Sequence, residues 1–227
     1  MIVDFLKSSM IDYPGKISSV LFTAGCNFRC PYCHNAPLVT GKMETKDLDY
    51  LLETLIKRKR FVDSIVISGG EPTLHADLLP FLKTLKRQGF SIKLDTNGSK
   101  PNRLNQWIRA GVLDYIAMDI KHAIPKYGSL VQEPVDLEAI EESVSIIRLS
   151  EIPYEFRTTV FQEGFQQDDF LSIAKWLEGS PRYALQNFHP QEELVDSSVK
   201  MTPYSIETLQ EIQKSLTPYF GEVILRK

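Results

Sequence analysis

The stretch DSIVISGGEPTLHADLLPFLKTLKRQGFSIKLDTNG, residues 63–98, reads as strand, helix, strand. The β-branched run Asp63–Ser68 and the run Ser91–Asp95 are the strands. Between them a helix pattern starts at Asp77 and stops at Gly89, a glycine suited to the left-handed turn that ends helices. Pro80 falls in the first turn, where no intrahelical N–H bond is lost. Each strand runs into a polar segment, SGGEP (Ser68–Pro72) and DTNG (Asp95–Gly98).

The same alternation continues outward. Further strands are expected at Ile17–Thr23, Leu113–Met118, Tyr154–Val160 and Arg182–Phe188, with a seventh at Gly221–Arg226. Leu48, Leu51, Leu52, Leu55 and Ile56 give a helix stripe, with Thr45 placed as N-cap. Another helix carries Leu104, Trp107 and Ile108 and ends at Gly111; a fourth, capped by Asp136, shows Leu137, Ile140, Val144 and Ile147. A fifth spans about Asp168 to Glu178, and the last takes Thr202 as N-cap with Pro203 at N1. Trp107 and Trp176 read as core anchors. At the front, Val3–Leu6 pairs with Ile17–Thr23 as a hairpin through Met10–Lys16, which carries the turn signal Tyr-Pro-Gly. Alternating strands and helices imply parallel pairing with right-handed crossovers. Six units are too few for a closed eight-stranded barrel and suit an open partial barrel or a doubly wound sheet. The α/β fold expected is a partial (β/α)6 TIM-like barrel with a mostly parallel sheet, in one domain.

The 227 residues are 43% hydrophobic, which suits a packed core, and the formal net charge of −3 does not advertise a nucleic-acid partner. The basic run Lys57–Arg60 reads as a solvated helix end. The opening MIVDFLKSSMIDYPG lacks a secretory pattern, and no apolar run approaches the ~20 residues that cross a bilayer. A cytoplasmic protein without a membrane partner is expected. All three cysteines, Cys26, Cys30 and Cys33, lie in CNFRCPYC. An odd number of thiols cannot all pair, and a reducing compartment leaves them able to bind metal.

The unusual polar residues cluster at strand ends: the cysteine segment, SGGEP, DTNG, MDIK (Met118–Lys121), FRTTV with Arg157, and NFHP with His189. In parallel α/β folds the carboxyl ends of the strands share one side, where ligands bind. Thiolates spaced C-x3-C-x2-C can hold three corners of a [4Fe–4S] cubane, which normally takes four cysteines. The fourth iron would then stay open to a substrate or cofactor. A structural zinc using His34 as fourth ligand is the alternative, although His34 directly follows Cys33 and zinc ligands come as separated pairs.

CNFRCPYCHN resembles the signature of radical S-adenosylmethionine (radical SAM) enzymes, and SGGEP resembles their GGE motif. With IDYPGK, DTNG and MDIK, the chain is similar to activating enzymes of glycyl radical enzymes, nearest to those serving anaerobic ribonucleoside-triphosphate reductase. The resemblance implies one radical SAM domain over 1–227, with a hairpin at 1–24, a core at 17–190 and a C-terminal helix and strand at 202–227. It implies that Cys26, Cys30 and Cys33 ligate three irons while S-adenosylmethionine chelates the fourth. Tyr32 would pack near the adenine. The carbonyls of Gly69 and Gly70, with Glu71 behind them, would receive the methionine ammonium, and Pro72 would shape the turn. Asp95, Asn97 and Asp119 would be among the cofactor-binding residues, with Asp95 and Asp119 forming a monovalent-cation site beside the methionine carboxylate. In the alternative, Asp95 caps its loop and Asp119 pairs with Lys121. Lys121 and Arg157 would contact anionic groups, and His189 the ribose or sulfonium. His75 and His122 read as surface residues.

The reaction so implied is one-electron reduction of the cluster, reductive cleavage of S-adenosylmethionine, and hydrogen abstraction from a glycine on a partner enzyme. With no second cysteine cluster, the electron would come from a flavodoxin or ferredoxin. A radical SAM enzyme acting on a small molecule and a plain iron–sulfur electron carrier are the competing readings.

Overall fold

The computed structural model describes residues 1–227 except 34, 42, 191–193, 197 and 227. His34, the fourth ligand of the zinc alternative, lies outside the described residues. In chain order the elements are β1 (Ile2–Tyr13), β2 (Lys16–Thr23), α1 (Ala36–Thr40), α2 (Leu48–Arg58), β3 (Ser64–Gly69), α3 (Leu78–Arg87), β4 (Ser91–Thr96), α4 (Pro101–Arg109) and β5 (Tyr115–Asp119). There follow α5 (Tyr127–Val131), α6 (Leu137–Leu149), β6 (Tyr154–Val160), α7 (Gln167–Trp176), β7 (Arg182–Asn187), α8 (Ile206–Leu216) and β8 (Glu222–Arg226). The strands take the order β1 to β8 in one sheet. A doubly wound sheet reverses its order at a switch point. Here the order follows the chain, as in the βα progression of a barrel.

The chain groups into two compact units. The first comprises residues 1–27, 37–116 and 139–153. In it β1 pairs antiparallel with β2, and β2–β3 and β3–β4 are parallel. The hairpin is longer than the sequence implied: β1 reaches Tyr13 and only Pro14 and Gly15 make the turn. Gly15 sits at φ 72°, a backbone setting that glycine takes without Cβ strain. Leu51 and Leu55 of the α2 stripe are buried, as is Trp107, which is 0% exposed. Burial of an indole of this size contributes about 3–5 kcal/mol against truncation to alanine. The cap of α2 is Asp47 rather than Thr45: its carboxylate accepts from the Asp49 and Tyr50 amides at 2.8 and 3.0 Å. Helix α3 begins after Asp77, and Gly89 at φ 75° follows its end, as expected.

The second unit comprises residues 28–36, 117–138 and 154–227. Its strands β6–β7 and β7–β8 are parallel. Aromatic packing dominates: Phe165 stacks on Phe170, and Tyr183 on Phe220 at 4.7 Å between centroids. Trp176 is half-buried, a weaker anchor than expected. Helix α8 is capped by Ser205, whose Oγ accepts from the Thr208 amide at 3.2 Å. Thr202, the expected cap, instead bonds Glu163 through its amide and hydroxyl at 2.8 and 2.7 Å. A distant carboxylate outcompetes the local helix end for that threonine.

Candidate cofactor site

In the first unit, two strand ends press backbone on backbone. The Gly70 amide donates to Thr23 O at 2.9 Å, and the Glu71 amide to Gly25 O at 2.8 Å. A Cβ on Gly69 would lie 2.3 Å from Thr23 N, and one on Gly70 2.0 Å from Gly25 O. Gly69 also holds φ 118°, which side chains rarely adopt. The two glycines therefore serve the contact that seats the cysteine-bearing strand end against β3. Gly25 and Cys26 in turn donate to Leu38 O and Val39 O of α1 at 2.6 and 3.3 Å.

Glu71 is 0% exposed, and its carboxylate is filled by donors from its own neighbourhood. Oε1 accepts from the Thr73 amide at 3.0 Å, the Thr73 hydroxyl at 2.5 Å and the Thr96 hydroxyl at 2.7 Å. Oε2 accepts from the Asn97 amide at 2.6 Å. Burial pushes the carboxyl above its usual range, and these donated bonds oppose the rise. Glu71 thus clamps SGGEP to DTNG. Pro72 opens a single 3₁₀ turn, Pro72–Leu74, that Glu71 caps. Asp95 faces the buried ammonium of Lys93 at 2.5 Å. Asn97 is buried, with its side chain on Asn27 and Cys26. His75, expected at the surface, is half-buried, with Nε2 2.7 Å from Ala24 O.

In the second unit, the segment after Phe28 is fixed by backbone bonds. Cys33 N donates to Cys30 O at 3.1 Å, Val195 N to Cys33 O at 3.1 Å, and Arg29 N to Val131 O at 2.9 Å. Cys30 is buried and Cys33 half-buried. Burial raises the Cys30 thiol, and the Lys121 charge pulls it back. Tyr32 is buried, and Lys121 Nζ stands 5.8 Å from the centre of its ring.

Lys121 and Arg157 meet at one carboxylate. Arg157 Nε lies 2.8 Å from Asp119 Oδ1, and Lys121 Nζ 3.2 Å from Oδ2. Burial alone would raise the Asp119 carboxyl, but Arg157 and Lys121 hold it well below the usual range. Burial would likewise lower Lys121, and Asp119 keeps it charged. Asp119 thus holds both cationic side chains beside it. The pairing of Asp119 with Lys121 is the alternative that the sequence left open. Asp95 and Asp119 each already face a cationic side chain, the position expected of a monovalent cation. His189 is exposed on the loop after β7, with Nδ1 3.1 Å from Pro190 O. His122 is not at the surface: it is 2% exposed and stacks on Phe165 at 4.5 Å. The aromatic residues of FQEGF, Phe161–Phe165, are the sequence signal that could have shown its burial.

Residues 20–177 match the Radical SAM superfamily. Solved structures share the fold at low identity. Streptococcus suis SuiB bound to S-adenosylmethionine superposes at TM-score 0.72, with 12% identity over 92% of this chain and 52% of that one. SuiB bound to precursor peptide SuiA gives 0.74, with 13% identity over 92% and 48%. The chain spans about half the length of those structures. It is 33% identical, over 96% of its length and 92% of the relative's, to a Methanocaldococcus jannaschii protein provisionally named a glycyl-radical enzyme activating enzyme. A Clostridium pasteurianum pyruvate formate-lyase-activating enzyme is 34% identical over 50% of this chain and 49% of that protein. The chain belongs to the radical SAM superfamily, among its glycyl-radical enzyme activating enzymes.

Enzymes of this superfamily use a [4Fe–4S] cluster and S-adenosylmethionine. The donor chemistry fits: three thiols, none in a disulfide, within one short segment. Among the described residues no group of three His, Cys, Asp or Glu is placed to hold a single metal ion. A cubane instead takes its thiolates on separate irons.

Proposed function

We propose that Cys26, Cys30 and Cys33 hold a [4Fe–4S] cluster whose fourth iron takes S-adenosylmethionine, and that the enzyme installs a glycyl radical on anaerobic ribonucleoside-triphosphate reductase. The observation that carries this is the three-thiol segment, without a fourth cysteine, in a chain similar along 96% of its length to a protein provisionally named an activating enzyme. When bound, the cofactors supply one-electron cleavage of a sulfonium, and a flavodoxin or ferredoxin supplies the electron.

The chain's own residues bind and orient. Gly69 and Gly70 offer backbone carbonyls to the methionine ammonium, Pro72 shapes the turn, and the Glu71 clamp keeps that backbone rigid. Tyr32 gives the adenine an aromatic wall. Lys121, kept charged by Asp119, and Arg157 meet anionic groups of the cofactor carboxylate or of a substrate peptide. His189 is exposed and able to approach the ribose.

The test is anaerobic. The reconstituted protein is reduced, given S-adenosylmethionine and mixed with the candidate reductase. A glycine-centred electron paramagnetic resonance (EPR) signal on the reductase is expected. Full cofactor cleavage with no such signal refutes that partner.

A further inference from the structure

Asn97 is placed to act on a cysteine sulfur. Its Nδ2 lies 3.0 Å from Asn27 Oδ1 and 3.9 Å from Cys26 Sγ. The amide orientation follows from its other end, because Oδ1 accepts the Ser99 backbone amide at 2.9 Å. A flipped amide would turn an NH₂ against that N–H, so Nδ2 must face Asn27 and Cys26. Asn27 Oδ1 also accepts from the Ser99 hydroxyl at 3.3 Å, which fixes the receiving side chain. The backbone of Asn97 is pinned through its own amide by the Glu71 carboxylate, and Gly98 O accepts from Ser143 Oγ at 2.6 Å. Asn97 is 5% exposed, so this donor is shielded from water.

An amide N–H beside a thiolate stabilises negative charge on sulfur. Hydrogen bonds to ligand sulfurs are among the levers that set iron–sulfur potentials. We infer that Asn97 is a positioning residue that orients Cys26 and raises the reduction potential of a cluster bound there. Asn27 and Glu71 support it from the side chain and the backbone respectively. This inference rests on the proposed cluster at the three cysteines. A merely structural Asn97 would alter stability or loading and leave the potential where it was.

The experiment measures the midpoint potential by EPR-monitored redox titration, with iron and sulfide content determined on each sample. Asn97→Ala, loaded like the wild type, is expected to shift the reduction equilibrium against the reduced cluster about threefold to tenfold; tenfold is ~59 mV for one electron. Asn97→Asp, which replaces the donor with a carboxylate, is expected to shift it further the same way. Loaded variants with the wild-type potential overturn the inference. Pulsed EPR on wild-type protein carrying ¹⁵N-asparagine needs no variant to fold: a coupled side-chain nitrogen is expected, and its absence in fully loaded protein overturns the inference. A wild-type chain that takes up no cluster removes the inference together with the reading beneath it.

Discussion

Two carboxylates, Glu71 fully buried and Asp119 part-exposed, organise the two units by opposite means. Glu71 is surrounded by neutral donors, two backbone amides and two threonine hydroxyls. Asp119 is met by two cations. Burial accordingly lifts the first carboxyl, while Arg157 and Lys121 depress the second. Neutral donors tie loops together without bringing in a countercharge. Cations tied to one carboxylate stay charged and are held in place.

The sharpest break of this comparison is Glu71→Ala. It leaves the Asn97 and Thr73 amides without their buried acceptor and opens a cavity, so a loss of about 4 kcal/mol is expected in chemical denaturation. Glu71→Gln retains the volume and should cost roughly half as much. Asp119→Asn strands two cations, but the aspartate side chain is 29% exposed, so solvent screens part of the penalty. About 2–3 kcal/mol is expected. Smaller still is Thr96→Val, which removes one donor to Glu71 and the acceptor of the Gly98 amide at about 1–2 kcal/mol. Similar losses for Glu71→Ala and Thr96→Val would mean that the clamp does not act through its summed bonds.

The smallest effect concerns pH. His122 Nδ1 accepts the Ala123 amide at 2.8 Å, and Nε2 lies 3.0 Å from Gly164 O, so the ring is neutral with its proton on Nε2. Burial lowers its pKa, and the Gly164 carbonyl and Asp169 partly offset this. Lys126, which pairs with Asp169, acts against protonation. With the folded pKa below the unfolded value of about 6.5, the unfolded chain binds the proton first. Stability should therefore fall as pH drops through about 6.5. His122→Phe should flatten that slope in denaturation curves taken across the range; an unchanged slope would assign it to other groups.

Much of the frame was legible because its signals are local. The β-branched runs gave the strands within two residues or so, since burial on both faces demands them. Gly89 and Gly111 marked helix ends because their positive φ is a backbone requirement. Caps were less legible where short polar residues crowd together. Thr45 and Asp47 both suit a cap, and only the final path of the chain selects Asp47. The site was readable as residue types and not as pairings. GGEP announced its glycines, but nothing local says that Glu71 will bond Thr96 and Asn97, or that Lys93 will take Asp95. His122 was misread because its partners, Phe165 and Gly164, lie more than forty residues away.

The most direct test of the central claim is cofactor cleavage by the anaerobically reconstituted and reduced protein, read as 5′-deoxyadenosine with one equivalent of methionine. The account predicts product from the wild type and none from Cys26→Ala, Cys30→Ala or Cys33→Ala. Product at the wild-type level from any of these variants, or a fully loaded wild type that leaves S-adenosylmethionine intact, would contradict it.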